Sequence, residues 1–280
     1  MADLYSHVFS DIFKECEPYF VHDFLNVRCT GNGNKKYCLF TYKKIFEETI
    51  KVLDKSKYNG EIVIPEFIVF DSNNFYSTDE IVRTSRCFEK GKIVIKDRII
   101  KLANARDTDK KDRIFLFPID GIYSFSNGNS DFVMAMVLLQ EKKEEKSDFD
   151  VKSISIFNPI CKDILVFDDI EGCKYNGKKI SFDGVYSDNY IDLVYVNNAN
   201  QRISFDLTKL AKIGNLSISN SIFSALTELL VTNKNLCICK IDESIFSFIE
   251  FAVSKSALIL KKVGSHFIIG KEDLVRKVTK

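Results

Sequence analysis

The 280-residue chain reads as a mixed α/β protein, with helices and sheets in α+β layers. Three observations predict this class. Two stretches near the start carry apolar residues at helical spacing. The middle carries short apolar runs of strand length. The last third switches between the two periods with no internal repeat. A hydrophobic share of 45% supports a packed core and excludes a disordered chain. The length suits one large or two medium domains. Lys and Arg number 40 against 39 Asp and Glu, and a net charge of +1 argues against a dedicated nucleic-acid or membrane-surface protein.

The elements follow in order. Leu4, Val8, Phe9, Ile12, Phe13 and Cys16 predict a helix that weakens at Pro18, and Phe24 to Cys29 then reads as a strand. Residues 31–36, Gly-Asn-Gly-Asn-Lys-Lys, form a turn; without a closing Gly-Lys-Ser/Thr they are no phosphate loop. Ile45, Phe46, Thr49, Ile50 and Leu53 give a second helix from Thr41, its N-cap, to Lys57, ended by Asn59-Gly60. Strands are expected over 61–70, broken at Pro65, and over 92–103, 114–120 and 131–140. The charge run 141–148 is a solvated tip or linker, and the domain boundary is set there, giving domains of 1–145 and 146–280. Strands then run over 151–159, 163–169 and 190–196. A helix over Ser217 to Val231, a strand over 236–242, a long helix over Ser244 to Lys262, a strand over 266–270 and a helix from Lys271 complete the chain.

Eight cysteines form no Cys-x-x-Cys pair, and only three histidines are present. A long chain with neither a disulfide pattern nor zinc-ligand spacing is read as using reduced thiols as small core residues, in a cytoplasmic setting. The first residues lack the basic and apolar regions of a secretory signal, and no apolar run approaches the roughly 20 residues that span a bilayer. Abundant Lys, Asn, Ile and Phe read as compositional bias and carry no functional signal.

The segment Phe117-Pro118-Ile119-Asp120-Gly121-Ile122-Tyr123-Ser124-Phe125, with Gly128 and the apolar run after it, resembles the D-P-I-D-G-T-x-N-F signature of the inositol monophosphatase family. A second match lies downstream. Phe157 to Leu165, then Glu171-Gly172 to Gly177-Lys178-Lys179-Ile180, is similar to the family's strand pair and its N-G-x-x-I ending. His266 to Val275 is similar to the last strand and helix. Asp120-Gly121 alone is a common turn dipeptide, but its position after an apolar strand with Phe125 and Gly128 following makes chance a poor explanation. The resemblance implies an αβαβα sandwich and hydrolysis of phosphate monoesters with bound Mg²⁺. It also implies a homodimer, and, through the bacterial extragenic-suppressor branch, a protein partner in the transcription machinery.

Read position by position, the resemblance implies a depleted site. In the family an early Glu, both aspartates of D-P-I-D and a late Asp in a W-D pair that opens a helix hold the metals, while the Thr after D-G and nearby N–H groups hold phosphate. Mg²⁺ takes hard oxygen donors in near-octahedral geometry, and clustered cations activate water and steady the displaced charge. Here the first Asp is Phe117, Asp120 is kept as the metal candidate, the Thr is Ile122 and the Asn is Ser124. Gly121 and Ser124 remain as phosphate candidates. Counting back from Val263-Gly264-Ser265 puts W-D on Phe251-Ala252, with Glu250 as a stand-in, and Glu66 or Asp71 supplies the early carboxylate. As simple solvated charges or turn residues, these acids would need no such role. The long insertion over 72–112 has no counterpart. The resulting expectation is a family protein with a degenerate metal site, non-catalytic or weakly active, that acts as a binding or regulatory protein; the alternative is an active Mg²⁺-dependent phosphomonoesterase, for inositol phosphate or a related sugar or nucleotide phosphate, with a rearranged site.

Overall fold

A computed structural model describes residues 2–30, 35–65, 68–71, 74–96, 99–102, 112–142, 149–180, 191–196, 213–232 and 234–279. The chain forms two compact units, Met1–Asp163 and Ile164–Lys280.

The first unit opens with two long helices, α1 (Ala2–Thr30) and α2 (Lys35–Lys55). The strand expected over Phe24 to Cys29 is the last part of α1. The apolar stripe at Phe9, Ile12, Phe13, Cys16, Phe20, Phe24 and Val27 keeps helical spacing through Pro18, and every one of these residues is buried. Pro18 itself is exposed, so its ring meets water and one backbone bond is forgone. A buried stripe that runs from Phe9 to Val27 at helical spacing outweighs a short strand-like run.

Helix α2 begins before Thr41, which is therefore no N-cap. Thr41 is fully buried inside the helix, and its hydroxyl donates to the buried carboxylate of Asp23 on α1. The helix ends before Asn59-Gly60, in a Schellman arrangement. The Tyr58 N–H donates to the Leu53 carbonyl and the Lys57 N–H to that of Asp54, with Lys57 in the left-handed region at φ 57°.

Strands β1 (Glu61–Val63), β2 (Ile68–Asp71) and β3 (Asn74–Ser77) precede the short helices α3 (Thr78–Arg83) and α4 (Arg86–Glu89). Then come β4 (Ile93–Lys96), β5 (Ile99–Leu102) and β6 (Asp112–Asp120), the helical turn α5 (Ile122–Ser126), β7 (Val133–Glu141) and β8 (Phe149–Asn158). The main sheet of this unit runs β8-β7-β6-β1-β5-β4, antiparallel except where β1 lies parallel to β6. Strands β2 and β3 form a separate hairpin, and β4 and β5 pair as one. Strands β7 and β8 pair across the charge run, from Glu141↔Phe149 inward. Val133 to Leu139 is buried at every position, as a strand covered on both faces must be.

In the second unit, β9 (Asp163–Asp168), β10 (Gly172–Tyr175) and β11 (Lys178–Lys179) form an antiparallel meander. The tight Asn176-Gly177 turn, with φ 49° and 76°, is the mirror-image hairpin turn that Asn-Gly favours. A five-stranded sheet follows, built from β12 (Ile191–Val196), β13 (Ile213–Ser219), β14 (Leu236–Cys239), β15 (Ile259–Val263) and β16 (His266–Gly270) in the order β13-β12-β14-β16-β15. Helices α6 (Ile222–Val231), α7 (Glu243–Ser254) and α8 (Glu272–Val278) accompany it. Two expected helices were too long. Ser217 to Ser219 ends β13, and Ile259 to Lys262 belongs to β15; Ser221 and Asp242 cap the true helix starts. Six of the seven described cysteines are buried, as small core residues. No described helix is long and apolar enough to cross a membrane.

Candidate functional site

The Pro118-Ile119-Asp120-Gly121 turn is built by an irregular strand end. Along β6 and β7 the register runs Phe117↔Ala135 and then Asp120↔Val133, three steps on one strand against two on the other. The extra residue is a bulge at Pro118-Ile119, and Pro118 suits it because it brings no N–H to the ladder. Pro118 and Ile119 are buried, while Phe117 and Asp120 on either side are half-buried.

Gly121 then turns the chain into α5 with φ 88°. A Cβ there would lie 2.6 Å from the Asp131 carbonyl oxygen and 3.1 Å from the Phe132 Cα. Only glycine meets both demands. Phe125, fully buried, locks the turn from below. Its ring stands edge-on to Phe132 at 4.8 Å between centroids, and Phe24 from α1 lies 5.4 Å from Phe132 and 6.4 Å from Phe125. Phe20 stacks on Phe132 at 5.9 Å. The first helix therefore braces the motif through an aromatic cluster. The Asn129 N–H donates to the Ser124 carbonyl, with Gly128 at φ 71°.

Of the predicted site residues, Asp120, Gly121 and Ser124 occupy this one turn. Ser124 is buried, and its hydroxyl donates to Asp131 Oδ2 at 3.4 Å. Asp131 was missed in the sequence; a carboxylate in an Asn-Ser-Asp turn shows no periodic signal. Phe117 and Ile122 bring hydrocarbon where the signature implies oxygen. Glu66 lies outside the described residues. Asp71 ends β2, in the small hairpin, with its side chain outside the described set.

The late positions need a correction. The resemblance implies an Asp that opens a helix, but Phe251 and Ala252 lie in the last turn of α7, Ala252 fully buried in its apolar face. Glu250 is exposed near the same end. The residue that opens α7 is Asp242. Its Oδ1 accepts the Ser244 N–H at 2.9 Å, and that backbone hydrogen bond, helped by the Ser244 side chain, lowers its pKa below the usual carboxylate value. The readable signal was Asp242-Glu243-Ser244 before an apolar helical run.

The donor set fits Mg²⁺ poorly. Among the described residues no three His, Cys, Asp or Glu side chains gather where they could hold a metal ion. The turn offers Asp120 and, through Ser124, Asp131, beside the hydrocarbon of Phe117 and Ile122. That is a poor match to a clustered Mg²⁺ site, which needs several oxygens in near-octahedral geometry.

No protein-family model matches the sequence, and no curated protein matches it. Solved structures do resemble it. The extragenic suppressor protein suhB from Bartonella henselae superposes with a TM-score of 0.61 at 12% identity, covering 98% of each chain. An inositol monophosphatase from Staphylococcus aureus gives 0.61 at 10% identity over all of this chain and 93% of its own. The extragenic suppressor from Pyrococcus furiosus gives 0.55 at 14% identity over 99% and 97%. Identities this low speak to architecture, and on that evidence the chain has the mixed α/β fold of the inositol monophosphatases and extragenic suppressors.

Proposed function

We propose that this chain is a divergent member of the inositol monophosphatase family, of the extragenic-suppressor type, whose metal site is degenerate and which acts by binding. One observation carries the reading. The signature positions that match are those the turn needs for its shape: Pro118 in the bulge, Gly121 at φ 88° and Phe125 in the aromatic cluster. The positions that differ, Phe117 and Ile122, are those where metal and phosphate would need oxygen. Loss of even an outer partner of a metal ligand typically weakens binding about 10- to 100-fold. Replacing a direct ligand with a phenyl ring removes both charge and lone pairs. The same likeness supports a homodimer, a protein partner such as the transcription machinery, and a cytoplasmic setting.

A phosphatase assay with Mg²⁺ on inositol 1-phosphate and on a nucleotide monophosphate tests this, with no turnover above the buffer rate expected. Robust Mg²⁺-dependent turnover would overturn it. A second reading, an active phosphomonoesterase with a rearranged site, rests on Asp120, the signature acid that the turn retains. Under that reading Asp120→Asn abolishes a measurable Mg²⁺-dependent activity.

A further inference from the structure

We propose that the first unit carries an anion site away from the signature turn: a basic cleft between α2 and α4 that takes a small phosphorylated molecule. The cleft has a volume of ≈ 280 Å³. That is at the small end for ligand pockets, with room for a phosphate and a compact body but not for a polymer.

Its charges do not cancel. Lys44, Lys51, Arg86, Lys90 and Lys92 line it against Glu47, Glu48 and Asp54. Each acid is already engaged. Buried Glu47 meets Lys44 Nζ at 3.1 Å and accepts the Arg86 backbone N–H at 2.9 Å. Glu48 pairs with Lys51 at 2.8 Å, and Asp54 with Lys92 at a loose 3.9 Å. The Arg86 guanidinium and the Lys90 ammonium have no acidic partner among the described residues, and both side chains reach solvent.

The arrangement also preorganises Arg86. Glu47 holds its backbone and leaves its side chain unpaired, while the Ser85 hydroxyl accepts the Phe88 N–H and fixes the turn between them. The Cys87 thiol, its pKa raised by burial and then by Glu47, stays neutral and packs beneath. A guanidinium fork grips two phosphate oxygens at once, and an ammonium four residues on neutralises the remaining charge. An apolar ligand would leave both cations without a counter-charge.

Calorimetry with pyrophosphate on the full chain, in EDTA so that no metal takes part, tests the site. The wild-type protein is expected to bind saturably, and added salt to weaken binding. Arg86→Ala and Lys90→Gln are each expected to raise Kd about tenfold or more, and the pair together to remove binding. Circular dichroism and melting of the variants should match wild type, since both side-chain heads are exposed. No saturable heat from the wild type, or unchanged binding in the double variant, would overturn the proposal. The result is separable from the phosphatase assay, which requires Mg²⁺.

Discussion

Gly121 is tied to glycine twice, by its positive φ and by the Asp131 carbonyl 2.6 Å from where a Cβ would stand. Gly121→Ala is therefore expected to destabilise the protein by about 2–3 kcal/mol, read as a lower urea midpoint. Phe125→Ala removes a fully buried ring from the aromatic cluster and should lose about 3–5 kcal/mol. Ser124→Ala gives up a long 3.4 Å hydrogen bond, and its loss should stay near 1 kcal/mol. A large effect at Ser124 and small effects at the other two would contradict the view that this motif persists for its shape. At this scale the sequence was readable where chemistry changes type, as at Phe117 and Ile122. It was not readable where two polar side chains meet across seven residues, as Ser124 and Asp131 do, because no period or spacing announces such a pair.

Helix ends carried most of the disagreement at the level of elements. The mixed stretch Ile218 to Phe223 fits either period, and the capping serine at 221 separates β13 from α6. The same holds for Asp242 at the start of α7. The long buried strands β6, β7 and β8 were legible because length and flanking turns agreed with burial. Two predictions belong here. Pro18 sits exposed inside a continuous helix, so Pro18→Ala should stabilise the protein by about 1–3 kcal/mol; thermal melting reads this, and a lower melting point would refute it. Asp242→Ala removes an N-cap, at about 1 kcal/mol by urea unfolding. The Asp242 carboxyl titrates lower folded than unfolded, so its contribution is present above the unfolded value of about 3.9. It fades as pH falls through the folded value. The gap between wild type and Asp242→Asn should therefore narrow between pH 5 and the acid limit, by about as much as the charged cap contributes. A gap that widened on acidification would reverse the sign and the argument.

The fold is shared with solved structures at 10–14% identity. Hydrophobic pattern, turn glycines and aromatic clusters can carry a fold across that distance, since cores accept many apolar combinations of similar volume. Oxygen ligands have no such latitude, because a metal counts donors and not volume. On the proposed reading, this difference is why the turn keeps its shape at Gly121 and Phe125 while Phe117 and Ile122 bring no oxygen. The most direct test is a calorimetric titration of the wild-type chain with Mg²⁺, repeated with Mn²⁺, at neutral pH. With a degenerate site, no saturable binding is expected at millimolar metal. Saturable binding that disappears in Asp120→Asn would contradict a degenerate site.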